Sequence, residues 1–459
     1  MLILFKLLGS LALLMFGMKS MSDALQKMAG PQLRHVLGAM TTNRFTGMLT
    51  GTVVTASVQS STATTVMTVG FAGAGLLTLA GAIAVVMGAN IGTTVTAWII
   101  TLFGLSGGGD EKVPLMPMVI AAIGLFFIFS KKDRMQYLGQ TIIGLAMLIL
   151  GLGLMGDSVP PLNEDVAQSI ASLGHWGYWS VLLFIVVGAI LCIILQTSSA
   201  MTAVILLMAS QGWIDFPTSM ALVIGQNLGT TLTAQVVAMT TGTTGKRTAR
   251  AHLVFNVVGA ILFIVPFYPI CDAVWFVAEK LDPILPHVPI LPLAITIFHT
   301  LFNVFTTIVL SFFIPQLVKI VTWMVPDKNA DEGDEEFRLT YLEPNLLSTA
   351  ELNLQSAKSE IEEFSKRVLR MYTFLPGLRT AKNDEEFDAI MARIAKYEGI
   401  TDRMEMEISK FLTKVGSGDV SAHASERVST MLRIIDTASS AAATDRAGKA
   451  GKRGEKTRP

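Results

Sequence analysis

The chain has 459 residues, 51% of them hydrophobic and only 15% charged, with 35 basic and 35 acidic side chains. Soluble domains carry about 25% charged residues, so this composition, with a mean hydropathy of +0.55, places most of the chain in lipid rather than in water. Zero net charge offers no basic footprint for nucleic acid, and the two cysteines, Cys192 and Cys271, both lie in apolar runs and read as buried thiols.

Spans of about 20 apolar residues are expected at 2–18, 80–104, 114–130, 138–156, 217–241, 252–278 and 290–318. The first lacks a basic start, carries Lys6 and shows no small-x-small cleavage site, so it reads as a retained span rather than a signal peptide. Two further stretches, 46–79 and 178–210, are apolar but broken by a polar centre. A break at depth is tolerated only where backbone is buried or lines a cavity, so each is predicted to be a re-entrant helical hairpin. Three spans separate the hairpins. An odd number puts the second hairpin on the opposite side of the bilayer, which makes the two repeats inverted.

Charge in the loops agrees with that count. Lys19, Lys27, Arg34 and Arg44, then Lys131, Lys132 and Arg134, then Lys246, Arg247 and Arg250 fall on one side; Asp110, Glu111 and Lys112, then Asp157, Glu164 and Asp165, then Glu279, Lys280 and Asp282 fall on the other. Basic loops face the cytoplasm. The expected topology has the N-terminus outside, the first hairpin opening from the cytoplasm, the second from outside, and a cytoplasmic C-terminal segment.

The polar centres are repeated words. Gln59-Ser60-Ser61-Thr62-Ala63-Thr64-Thr65 returns as Gln196-Thr197-Ser198-Ser199-Ala200-Met201-Thr202, and Gly88-Ala89-Asn90-Ile91-Gly92-Thr93-Thr94 returns as Gly225-Gln226-Asn227-Leu228-Gly229-Thr230-Thr231, both at the offset that separates Ser61 from Ser198. Close packing of small residues explains the Gly and Ala but not the return of both glutamines and both asparagines. No Asp, Glu, Lys, Arg or His occurs from Phe45 to Gly109 or from Trp176 to Ile214. What the repeats offer is neutral oxygen: hydroxyls, amides, and carbonyls freed where glycine interrupts a helix. That set suits Na⁺. The helix that restarts after each glutamine–serine word presents free N–H groups to an anion. An anion held there without a fixed cation needs a co-bound Na⁺ to be stable in low dielectric.

These paired words resemble the type II sodium–phosphate cotransporter family over roughly residues 1–325. The resemblance implies Na⁺-driven transport of inorganic phosphate across the membrane. By it, Gln59, Ser60, Ser61, Thr62, Gln196, Thr197, Ser198 and Ser199 are candidate phosphate ligands. Asn90, Gly92, Thr93, Thr94, Asn227, Gly229, Thr230 and Thr231 are candidate sodium ligands. Two His-x-x-x-Asn pairs follow, His252/Asn256 and His299/Asn303. The second, also spaced i, i+4 and so on one helix face, reads either as a polar strut or secondary ligand or, the favoured reading, as interhelical hydrogen bonding within the bundle.

After an acidic linker at 326–342 the pattern changes. Leu347, Ala350, Leu354, Ala357, Ile361, Phe364, Val368 and Met371 mark an amphipathic helix, expected to end at Pro376-Gly377. Further helices are expected at 384–414 and 420–443, giving an antiparallel bundle and then a disordered Lys/Arg/Gly-rich tail. Position and pattern resemble a PhoU-like domain, here without its acidic metal motifs. The expectation is therefore an all-α polytopic membrane protein: a transport domain over 1–325 with inverted repeats centred on 46–104 and 178–241, and a cytoplasmic helical domain over 343–459. Its function is sodium-coupled phosphate symport by alternating access, not enzymatic catalysis. Its partners are phosphate, Na⁺ and the bilayer, with a homodimer as a candidate assembly. The alternatives are a carrier or exporter of another small oxyanion, and a membrane phosphate sensor signalling through the helical domain.

Overall fold

The computed structural model describes residues 2–39, 43–73, 77–104, 115–158, 176–326, 339, 350–381, 383–417 and 425–438, all of whose regular structure is helical. The chain divides into two compact units, one running with short interruptions from Met1 to Pro326, the other mainly Asp327–Pro459. The acidic linker, the basic tail and the expected loops bearing Asp110 and Glu164 lie outside the described residues.

In the first unit the helices are α1 (Leu2–Ala39), α2 (Arg44–Val58), α3 (Ser61–Gly73), α4 (Leu79–Ile99, prolonged by a π-turn over Ile100–Gly104), α5 (Leu115–Ile128), α6 (Asp133–Ser158), α7 (Tyr178–Leu195), α8 (Ser198–Ser210), α9 (Phe216–Ala238), α10 (Thr243–Ile264), α11 (Phe267–Leu281), α12 (Ile290–Ser311) and α13 (Ile314–Met324). Five of the described segments are long and apolar enough to cross a membrane: Leu79–Phe103, Asp133–Ser158, Tyr178–Leu195, Thr243–Ile264 and Ile290–Ser311.

Three expectations are corrected here. The first helix does not stop near residue 18. It continues to Ala39, so Lys19 and Lys27 sit on a helix rather than in a loop. The expected span 252–278 is two helices, α10 and α11, separated at Val265-Pro266. Proline lacks the N–H that would continue the ladder. The expected span 290–318 is also two helices, α12 and α13. Pro315 is the cause: its ring excludes the helical bond to the carbonyl four residues back. That carbonyl, Ser311 O, instead accepts from Arg44 Nη1 at 3.3 Å.

Helices α2 and α4 run parallel. A Cβ on Gly88 would strike the Met48 carbonyl, and one on Gly92 would lie 2.6 Å from the Thr52 carbonyl. Helices α7 and α9 repeat the crossing: Gly225 abuts the Ile185 carbonyl, and a Cβ on Gly229 would lie 2.5 Å from that of Ala189. Only glycine permits so close a backbone approach. These glycines therefore pack helices together. They do not interrupt them: α4 and α9 run unbroken through both asparagine–glycine–threonine words.

Helices α10 and α12 are antiparallel. Phe263 packs edge-on against Phe298 and tilted against Phe302, at centroid distances of 5.7 and 4.8 Å, while Ala251 and Phe255 pack with Leu310 and Ile314. This pair fixes two ends. Arg44, at the start of α2, meets the end of α12 through Ser311. Tyr178, at the start of α7, meets the end of α10, its hydroxyl donating to the Val265 carbonyl at 3.0 Å. So α2 and α7 begin at opposite ends of the α10/α12 pair.

The second unit contains α14 (Ala350–Thr380), α15 (Asp384–Gly416) and a helix at 425–438, here α16. The predicted stripe closes one core of Leu354, Ala357, Ile361, Phe364 and Val368 against Ile400, Met404, Ile408, Leu412 and Ile435. Pro376 does not end the first helix, which carries it inside and runs on to Thr380. Phe374, Leu375 and Leu378 pack around Met371, Ile394 and Tyr397, and that apolar contact holds the last turn despite the lost N–H.

Candidate functional site

Both glutamine–serine words form a sharp helix break. Among the described residues, two non-glycine positions have positive φ, Gln59 at 55° and Gln196 at 56°. Each is the left-handed cap of the helix before it, its N–H bonding back to Thr55 or Cys192. A left-handed L-residue costs about 1–2 kcal/mol, so the same strain at the same word in both copies points to a requirement for the break. Helices α3 and α8 then restart at the corresponding residues, Ser61 and Ser198, and each is 13 residues long.

The two restarts meet. Ser61 Oγ lies 3.4 Å from Ser198 Oγ, within hydrogen-bonding range, and these residues are mates in the repeat, 137 positions apart. Ser61, Ser198 and Ser199 are buried, whereas Ser60, Thr62 and Thr197 are half-buried. Ser60 Oγ caps its own helix by accepting from the Ala63 N–H at 3.2 Å, while Thr197 caps with no side-chain bond. The helix termini therefore approach each other with hydroxyls between them, a donor-rich junction suited to an oxyanion.

The glutamines differ. Gln59 reaches inward: Thr96 Oγ1 donates to its Oε1 at 2.9 Å, and its Nε2 donates to the Ala56 carbonyl at 2.5 Å. Gln196 is exposed and makes no side-chain hydrogen bond among the described residues. The second copy has a different tie: Gln226 of α9 bonds to α8, its Nε2 donating to Thr202 Oγ1 at 2.8 Å.

Of the candidate sodium ligands, Asn90, Thr93, Thr94, Asn227 and Thr231 are buried on α4 and α9. Thr93, Thr94, Thr230 and Thr231 spend their hydroxyl protons on carbonyls of their own helices, which leaves the oxygen lone pairs as acceptors. Asn90 Nδ2 donates to Asn256 Oδ1 at 3.4 Å, tying α4 to α10, whereas Asn227 Nδ2 has no described partner. Gly92 and Gly229 are helix-crossing points with no side chain to offer. Four residues enter the site that sequence reading did not place there. Thr96 and Gln226 lay within or beside the repeated words. Asn256 had a visible spacing but no visible partner. Thr65, buried with its Oγ1 unpartnered, lay in the first word itself.

The family model described as Na+/Pi-cotransporter matches residues 13–157 and 180–269, which together contain both copies of both words.

The chain belongs to the Na+/Pi cotransporter family.

By its family and its long apolar helices it is a multi-pass membrane protein. It is 30% identical over 361 residues to "Putative inorganic phosphate export protein YjbB" of Escherichia coli (strain K12), an alignment covering 78% of this chain but only 62% of that relative's length. It is 28% identical over 329 residues to the protein YqeW of Bacillus subtilis (strain 168), covering 72% of this chain and 100% of YqeW. A shorter stretch of 100 residues is 37% identical to sodium-dependent phosphate transport protein 2B of Homo sapiens, covering 21% of this chain and 14% of that protein. No solved structure matches.

Proposed function

We propose that the chain is a sodium-coupled carrier of inorganic phosphate that works by alternating access. The observation that carries this reading is the Ser61–Ser198 contact between two helix restarts, each following a left-handed glutamine. Phosphate sits at this junction, held by Gln59, Ser60, Ser61, Thr62, Gln196, Thr197, Ser198 and Ser199. Sodium is held by oxygens of the neighbouring words, Asn90, Thr93, Thr94, Asn227, Thr230 and Thr231, with Gly92 and Gly229 allowing the helices to close on them. Apart from Arg44 at the start of α2, helices α2–α4 and α7–α9 bear no Asp, Glu, Lys, Arg or His. A bound anion is then neutralised by the co-bound cation, which couples the two.

Parallel α2 and α4 require α3 to return between them, which supports a re-entrant hairpin; α7, α8 and α9 support a second. Their beginnings at opposite ends of the α10/α12 pair support inversion of the repeats. The Arg44 and Arg247 end is the cytoplasmic one on the charge rule, and the helical unit beyond Pro326 is read as a PhoU-like cytoplasmic regulator. The name of YjbB favours a second reading for direction, phosphate export by the same site.

The test is labelled-phosphate flux in proteoliposomes of the full chain, with an imposed Na⁺ gradient and with choline replacing Na⁺. Flux that follows the Na⁺ gradient is expected. Equal flux in choline driven by a pH gradient would refute sodium coupling, and binding without any flux would make the protein a sensor.

A further inference from the structure

Helices α10 and α12 carry a second internal symmetry, separate from the repeated words. Each is 22 residues long, with His at its tenth position and Asn at its fourteenth: His252 and Asn256, His299 and Asn303. In each, the asparagine Nδ2 donates to the histidine carbonyl one turn back, at 2.9 and 2.8 Å. The helices cross at their seventeenth residues, where a Cβ on Gly259 would lie 2.9 Å from Thr306 Cγ2. Because the pair is antiparallel, the two histidines sit on opposite sides of that crossing. Each is two turns away, about 10 Å along the axis. His252 lies toward the end where α2 begins, His299 toward the end where α7 begins.

Both rings are buried, with 2% and 1% of their surface exposed, and neither Nδ1 nor Nε2 of either ring has a hydrogen-bond partner among the described residues. A neutral imidazole carries one N–H donor and one acceptor. An unsatisfied buried polar group is costly and an apolar residue of similar volume is better if packing is all that is needed. Two such rings at mirrored depth call for a ligand that satisfies them in another state of the molecule.

We propose that His252 and His299 are oxyanion donors at the two ends of the substrate route, each contacting phosphate only when its own side is open. The proposal rests on the transport reading given above. The rings are about 20 Å apart along the axis, too far to hold one phosphate together, so they serve the ion in turn. The local chemistry fits a handover rather than a trap. Asn256, beside His252, is bonded to Asn90 of the second word. Thr296 and Thr300, flanking His299 on α12, are bonded to Thr101 and to Trp98 Nε1 at 2.7 and 3.0 Å, which anchors that turn to α4. A neutral N–H donor attracts the anion without the full charge that would hold it.

The experiment measures KM for phosphate separately from each face, using the full chain in proteoliposomes of one established orientation. His299→Leu is expected to raise KM roughly tenfold or more on the α7 face, as for a lost hydrogen bond to a charged group, and to leave KM on the α2 face within twofold. His252→Leu is expected to do the reverse. Gln at either position, whose amide N–H stands near the imidazole's, is expected to restore KM to within about threefold. Where a Leu variant fails to fold, Met, unbranched and also without a donor, replaces it. If the unaltered protein carries phosphate but the variants shift both faces alike, or neither, the histidines are core residues and the assignment is overturned. If the unaltered protein carries no phosphate under any gradient, the transport reading itself falls, and this one with it.

Discussion

Replacing Gln59 and Gln196 by glycine, one at a time, separates the strain of the helix break from the side chain that accompanies it. Both glutamines hold the left-handed backbone, at φ 55° and 56°, and glycine relieves that strain by about 1 kcal/mol. Gln196 loses nothing else, since its exposed side chain makes no described hydrogen bond. Gln59 loses the bonds to Thr96 and Ala56, worth about 0.5–1.5 kcal/mol each. The expectation is that Gln196→Gly stabilises the protein by about 1 kcal/mol, while Gln59→Gly destabilises it by about 0–2 kcal/mol, a difference of about 1–3 kcal/mol between repeat mates. Denaturation of the purified full chain in detergent, without phosphate, measures this. Transport should respond differently. If both amides contact substrate, Gln59→Ala and Gln196→Ala each abolish phosphate flux while the protein remains folded in the membrane. Equal stability changes for the two glycine variants would refute the asymmetry read from the hydrogen bonds. Normal flux in both alanine variants would remove the glutamines from the site.

The glycine crossings give a paired expectation: Gly92→Ala and Gly229→Ala should each cost about 1–3 kcal/mol or more by overpacking, and by similar amounts, since the carbonyls they meet lie 2.6 and 2.5 Å from the added Cβ. A melt in which either variant matches the parent would contradict the close approach. Single cysteines replacing Arg44 and Tyr178 should react with impermeant reagents from opposite faces of the membrane; labelling of both from one face would remove the inversion. Truncation after Pro326, where the first compact unit ends, should leave phosphate transport measurable, with rate or response to internal phosphate altered only so far as the second unit favours one access state. A folded truncate that neither binds nor carries phosphate would place that unit in the core mechanism.

Much of the arrangement was legible in residue order because it depends on local chemistry. A Gln-Ser-Ser word inside an apolar run marks a helix that must stop and restart, and the boundaries at Val58/Ser61 and Leu195/Ser198 fall on the words themselves. The heptad-like stripe of α14 likewise foretold its buried face. Three kinds of feature were decided only by tertiary structure. Hydropathy averages over a span and does not register one proline, so the breaks at Pro266 and Pro315 passed as continuous helix; conversely, Pro376 was overridden by apolar packing that no local rule contains. Glycine's role in Asn-Ile-Gly-Thr-Thr depends on what lies opposite, and only the crossing with α2 showed that Gly92 admits a neighbouring backbone rather than freeing its own. Finally, a spacing of four says that His and Asn share a helix face but not what that face meets. The contact of Ser61 with Ser198, the bond between Asn90 and Asn256, and the mirrored depths of His252 and His299 join residues far apart in the chain, and such pairings exist only once the helices have packed.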